Sequence, residues 1–163
     1  MVDQVYEETN QSQDRIHRLR RTLESVMGIP ATEGNQVTIL RNGDKIFPTM
    51  LEANSSARDT IDFLTFVYWK GEIGRQFAER LAERARAGVQ VRVLLDAWGS
   101  RPNERSLIDL MDDAGVLVRW FRPLRHFRPR NANHRTHHKV LVIDERIAFA
   151  GGVGISDLWL GDA

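Results

Sequence analysis

The chain has 163 residues, a net charge of +1 and no cysteine. That length suits one domain with a real core; the balanced charge sets aside a uniformly polyanion-binding protein, and the lack of thiols excludes a disulfide framework and thiol catalysis. No apolar run reaches the roughly 18 residues of a membrane span, and Met1-Val2-Asp3-Gln4-Val5 does not read as a signal peptide, so any membrane contact is expected to be peripheral.

In chain order, Ile16, Leu19, Leu23 and Val26 recur at helical spacing and predict a helix over 11–27, with Arg15, Arg18, Arg20 and Arg21 off the apolar stripe. Gly28 and Pro30 end it. Packing on a domain is the common fate of such a stripe, and its basic flanks also suit a membrane surface. Residues 28–36 read as a linker, which divides the chain into an N-terminal helix and linker, 1–36, and a domain, 37–163. Residues 37–40 predict a strand, Asn42-Gly43 a tight hairpin turn into Ile46-Phe47, and Pro48 the opening of a short helix through Ala53. Residues 61–69 predict a central strand, apolar on both faces as a sheet covered on both sides requires.

Residues 72–87 predict a helix with Ile73, Phe77, Leu81 and Ala82 on one side and Gly88 as its cap. A strand over 89–95 ends at Asp96, a helix over 106–114 ends at Gly115, and a strand over 116–121 leads into a long loop, 122–136. This alternation predicts an α/β layered domain with a mixed sheet. Tyr68 and Asp96 fall near the carboxyl ends of strands, where open α/β sheets bind ligands; core packing competes for Tyr68, and a cap or turn for Asp96.

From Ala114 to Ile143 there is no acidic residue, while Arg119, Arg122, Arg125, Arg128, Arg130, Arg135 and Lys139 are joined by four histidines. Such a field favours an anionic substrate. Trp120, Phe121 and Phe127 interleave with the arginines, a pattern suited to strand packing, nucleic acid or a lipid interface.

That window ends in His137-His138-Lys139, an apolar run 140–143, Asp144, a turn through Glu145-Arg146, a returning strand 147–150 and Gly151-Gly152. Side chains alternate along a strand, so His137 and Lys139 point the same way and can address one phosphate together. The lysine supplies a compact positive charge, and the imidazole can act as nucleophile or proton donor near neutral pH. A lone His-x-Lys is usually a solvated strand end; the fixed offsets to Asp144 and to Gly151-Gly152 make coincidence hard to sustain. His134, His137 and His138 also cluster as metal ligands do, but zinc sites usually take four ligands, often with Cys, and no metal is expected.

The run resembles the HKD motif, H-x-K-x4-D-x6-G-G, of the phospholipase D superfamily. Asn133-His134-Arg135-Thr136 before it, and Gly151 to Asp157 with Trp159 after it, resemble the flanks of bacterial cardiolipin synthase-like members; Met50-Leu51-Glu52-Ala53, Phe66-Val67-Tyr68-Trp69 and Val91 to Gly99 follow the order of that family's first half. The resemblance covers 37–163. It departs at Glu145, where many members have Gly, and at Gly154, where many have Asn. It also departs in motif number: members typically carry two motifs, and one is found here.

The resemblance implies a phospholipase D-like layered domain, its mixed sheet mostly parallel with helices on both faces. It also implies phosphodiester chemistry on phospholipid head groups, as phosphatidyl transfer or hydrolysis, through a phosphohistidine and without metal or cofactor. His137 would be nucleophile or acid–base partner, Lys139 the phosphate ligand and Asp144 the orienter of an imidazole. His134, Arg135, Gly151, Gly152 and Tyr68 would contact the substrate. Its partners would be an anionic phospholipid, a peripheral contact at the cytoplasmic face of the inner membrane, and a second HKD half from a missing C-terminal region or a second copy. Two alternatives stay open: a single-motif homodimeric, metal-independent endonuclease, and an inactive half that only binds phosphate or anionic membrane.

Overall fold

A computed structural model describes residues 2–123 and 135–162, with the backbone alone for 2–13. The chain forms two compact units, Met1–Ile39 and Leu40–Ala163. In the first, α1 (Val2–Met27) ends at Gly28, whose φ of 65° is the left-handed turn that glycine adopts freely. Arg20 folds the following segment back: it pairs with Glu24 and Glu33 and donates to the Ala31 carbonyl at 3.1 Å. Ile16, Leu19, Leu23 and Val26 lie on α1 as the spacing predicted and remain 50–80% exposed.

The second unit is built on a five-stranded sheet of β1 (Thr60–Thr65), β2 (Gln90–Asp96), β3 (Leu117–Phe121), β4 (Val140–Ile143) and β5 (Ile147–Ala150), in the order β3-β2-β1-β4-β5. β1 pairs parallel with β2, and β2 with β3; β4 pairs antiparallel with both β1 and β5. Three helices, α2 (Gly43–Ser56), α3 (Glu72–Arg86) and α4 (Arg105–Asp113), pack side by side with α3 in the middle. Ile61, Phe63, Val91, Val93, Leu95, Val118, Leu141 and Ile143 share one face of the sheet and form the core with Phe47, Phe77, Leu81 and Met111.

The mixed α/β architecture agrees with the alternation read in the sequence, and details differ. The parallel and antiparallel pairings are equal in number, because the β4–β5 hairpin fills the far side of the sheet. Among the described residues of this unit, helices cover one face rather than both: β1 alternates partly buried and buried residues, and β2 carries exposed Gln90 and Arg92 between buried valines. On the open face Arg92 forks onto the Asp62 carboxylate of the neighbouring strand. The central strand stops at Thr65 rather than 69, where the Thr65 hydroxyl donates to the Val67 carbonyl at 2.9 Å and the chain turns.

No strand forms over 37–40. Val37 and Ile39 are exposed and no neighbouring strand pairs with them. Asn42-Gly43 begins α2 instead of turning a hairpin, and Pro48 lies within that helix. The glycine is needed for contact: a Cβ there would sit 1.7 Å from the Trp159 carbonyl oxygen.

Candidate active site

The approach to β4 brings His137 and Lys139 onto one surface, the ring of Phe66 just past the end of β1. The His137 ring centroid lies 5.0 Å from that of Phe66 with the planes inclined by 51°, and Lys139 Nζ lies 5.5 Å from the Phe66 centroid. The imidazole is exposed, whereas Lys139 is only 9% exposed. Lys139 Nζ donates to the His137 carbonyl at 3.0 Å, and it makes no ion pair among the described residues. Burial pulls its ammonium below the ordinary lysine value. His138 turns to Thr136, whose hydroxyl lies 3.2 Å from its Nδ1.

One carboxylate anchors this approach. Asp96, fully buried at the end of β2, accepts the Trp98 and Gly99 N–H groups at 2.9 Å each, a turn in which an aspartate caps the backbone just ahead of it. It also accepts the Thr136 N–H at 3.4 Å, and Arg135 Nη1 stands 4.0 Å from it. The turn reading of Asp96 therefore holds, with a further contact the sequence did not disclose: the residue before His137 is tied to the tip of β2. Arg135 also donates to the Arg122 carbonyl at 3.3 Å.

Asp144 does something other than expected. It lies past the opposite end of β4 from His137, seven residues on, and the four strand residues between them alone span about 13 Å. Its carboxylate accepts the N–H groups of Arg58 at 2.9 Å and of Asp59 and Thr60 at 2.8 Å. These bonds, Thr60 foremost, hold its carboxyl below the usual aspartate range. The expectation that it orients an imidazole is corrected for His137: the strand separates the two groups, and Asp144 fastens the start of β1.

Tyr68 is corrected too. It is fully buried, packs on Phe63 and donates its hydroxyl to the Gly74 carbonyl at 2.7 Å, and burial pushes its phenol well above the ordinary tyrosine range. It is a core residue and not a phosphate contact. Gly151 and Gly152 are exposed, and a Cβ on either would meet nothing within 4 Å, so among the described residues no neighbour demands a glycine there. Gly154 does carry such a demand, since a Cβ would lie 2.6 Å from Val67 Cβ. This closeness lets Ile155 exchange backbone bonds with Val67 and Trp69 at 2.9 Å, after which Asp157 accepts the first N–H groups of α3, from Glu72 and Ile73, at 2.9 Å each. His134 lies outside the described residues, and with it the middle of the basic loop.

Phe66 escaped the sequence reading as a site residue because an aromatic in an apolar run signals core. The signal that was present is Gly99, whose missing side chain leaves room for the Phe66 carbonyl and ring.

The sequence matches the family described as cardiolipin synthase, PLD-like domain, over residues 50–158. It is 37% identical over 136 residues to cardiolipin synthase B of Salmonella typhi, covering 80% of this chain and 32% of that protein. It is 35% identical over 130 residues to cardiolipin synthase B of Escherichia coli (76% and 30%), and 31% identical over 149 residues to cardiolipin synthase 1 of Bacillus cereus (91% and 29%). The chain thus spans about 30% of the length of these curated relatives. Among solved structures, the phospholipase D family member Nuc from Salmonella typhimurium superposes with a TM-score of 0.54 at 18% identity, covering 72% of this chain and 69% of that one. NucT from Helicobacter pylori gives 0.54 at 23% identity, with 69% and 68% covered. At those identities the likeness is one of fold.

Proposed function

This chain belongs to the cardiolipin synthase, PLD-like domain family, and on that premise we propose that it supplies half of a phosphodiester-transferring site for anionic phospholipid head groups. The observation that carries the reading is Lys139: a nearly buried ammonium, without an ion pair among the described residues, on the same aromatic ring as an exposed imidazole. A buried cation of this kind is stabilised by an incoming anion. A phosphate held there lies beside a group able to attack it.

In the proposed reaction His137 attacks phosphorus, a P–N bond forms and the bond to the head-group alcohol breaks. The departing oxygen takes a proton from a histidine of a second HKD half. That histidine then accepts the proton of water or a lipid hydroxyl, whose oxygen attacks phosphorus and breaks the P–N bond. Lys139 balances the charge gathering on the non-bridging oxygens. Asp144 acts by holding β4 to β1, and Arg135 by standing at the rim. The second half comes from a region beyond this chain, which spans only part of its relatives, or from a second copy. No helix among the described residues is long and apolar enough to cross a membrane; the exposed stripe of α1, flanked by Arg15 and Arg18, supports a peripheral contact.

The test is turnover of phosphatidylglycerol vesicles in EDTA, by the chain alone and with a complementary HKD half, beside His137→Asn. Turnover lost in the variant supports the reading. Cleavage of DNA in EDTA with no lipid turnover would replace it with the nuclease alternative, and no turnover of either substrate by a folded, complemented chain would leave a binding half.

A further inference from the structure

The apolar stripe of α1 repeats more strictly than an ordinary amphipathic helix requires. Ile16, Leu19, Leu23 and Val26 are spaced three, four and three, the repeat of a coiled-coil seam. They are 62%, 60%, 50% and 80% exposed, and the segment that Arg20 folds back through Glu33 leaves them so. The same repeat carried toward the start of the helix reaches Ser12, Thr9, Val5 and Val2. Charge divides this helix in two. Residues 2–14 hold Asp3, Glu7, Glu8 and Asp14 and no lysine or arginine, whereas 15–27 hold Arg15, Arg18, Arg20 and Arg21 against the single acid Glu24. The first half therefore stands at −4 and the second at +3.

We infer that α1 is a pairing helix whose partner is the α1 of a second copy of this chain, lying antiparallel to it. Only that direction sets each acidic half beside a basic half; a parallel pair places like charge on like at both ends, which weakens association. The repeat fits the same arrangement. With position 14 level with its own copy, positions 2, 5, 9 and 12 of one helix stand level with 26, 23, 19 and 16 of the other, so seam meets seam along the whole helix. A lone helix gains little from its own hydrogen bonds, and burying the stripe supplies the missing stabilisation. An anionic bilayer suits this helix less well, because it attracts the arginine half and repels the half with Asp3, Glu7 and Glu8. Arg18 and Arg21 are exposed and fall off the seam, where they can still serve a peripheral contact. The inference concerns the N-terminal unit by itself and does not depend on the chemistry proposed above.

The test uses the whole chain, which has no cysteine, so that Ser25→Cys takes a spin label at a single site. Sedimentation at micromolar concentration is expected to show a dimer, with the two labels about 33 Å apart along the helix axis at 1.5 Å per residue; a parallel pair would bring them to about 10 Å. Leu19→Glu with Leu23→Glu should weaken the dimer by more than about a hundredfold, since each glutamate would enter the seam unpaired. Arg15→Glu with Arg21→Glu, which leaves the seam intact, should weaken it by about tenfold, and added salt should weaken the wild-type dimer. A monomer, a label separation near 10 Å, or a dimer that the two seam glutamates leave intact each overturns the inference. So does a chain that stays monomeric and binds phosphatidylglycerol vesicles unless Leu19 and Leu23 are changed, which would make the stripe a membrane face. The label distance needs no disruptive substitution, so a variant that fails to fold leaves the decision in place.

Discussion

Asp144 and Thr60 hold each other twice: the Asp144 carboxylate accepts the Thr60 N–H at 2.8 Å, and the Asp144 N–H donates to the Thr60 carbonyl at 3.0 Å. Arg58 and Asp59 donate to the same carboxylate, so an amide in its place would turn a donor toward a donor. Asp144→Asn is expected to destabilise by about 1–3 kcal/mol, read by urea unfolding. Because the folded carboxyl titrates below the ordinary 3.8, its contribution is present above that pH and fades as pH falls through the lower folded value. The wild-type advantage over Asp144→Asn should shrink only below about pH 3.8. His137→Asn should leave stability unchanged and remove turnover; an Asp144→Asn variant that is as stable as wild type yet inactive would restore a direct catalytic role.

Glu145 follows Asp144 in a two-residue turn where both have positive φ, 51° and 54°. That turn type favours Asn or Asp followed by Gly, so Glu145 occupies a position whose geometry suits glycine. Glu145→Gly should stabilise by roughly 1 kcal/mol, the strain of a left-handed glutamate less the added freedom of the unfolded chain. A thermal midpoint unmoved or lowered by the change would refute this account of the turn.

Lys139 costs stability at the corner where the phosphate is proposed to sit. Burial lowers its pKa, so the fold tolerates the charged form less well than water does, and stability rises with pH between the lowered value and the ordinary 10.5. Lys139→Met should raise the thermal midpoint at pH 7 and abolish phosphate binding. Stability lost on this change would mean that the ammonium is held by more than the His137 carbonyl and the Phe66 ring.

Asn54 is fully buried in α2, and neither its amide nitrogen nor its oxygen has a partner among the described residues. Replacing an unsatisfied amide by an apolar group of similar size removes a desolvation penalty of about 1–3 kcal/mol. Asn54→Leu should raise the thermal midpoint by about 2–4 °C per kcal/mol in a domain of this size. A destabilised variant would point to a buried water serving the amide.

The glycines after β5 should divide sharply. Gly154→Ala must push Val67 aside and is expected to cost about 1–3 kcal/mol, whereas Gly151→Ala and Gly152→Ala should fall within about 0.5 kcal/mol of wild type. If either of the latter loses turnover at full stability, substrate approaches that backbone closely.

What the sequence determined by itself is whatever repeats locally. The helix of Ile73, Phe77 and Leu81, the strands of Val91 to Leu95 and of Val140 to Ile143, and the placing of His137 beside Lys139 follow from periods of 3.6 and 2 that any short window displays. The tertiary structure decided what has no period. Val37 to Leu40 had the composition of a strand but no partner to complete a ladder. Asp144 reads identically whether it orients an imidazole or ties down a strand 84 residues away, and only the length of β4 between it and His137 separates the two. Tyr68 and Phe66 stand in one apolar run, and the turn at Thr65 sends the phenol into the core while the phenyl ring lies against His137 and Lys139. Asp96 looked like a turn residue and is one; that its remaining oxygen holds Thr136, 40 residues on, depends on two loops meeting above the sheet. Local order comes from neighbours along the chain, and the site comes from contacts between residues that only folding makes neighbours.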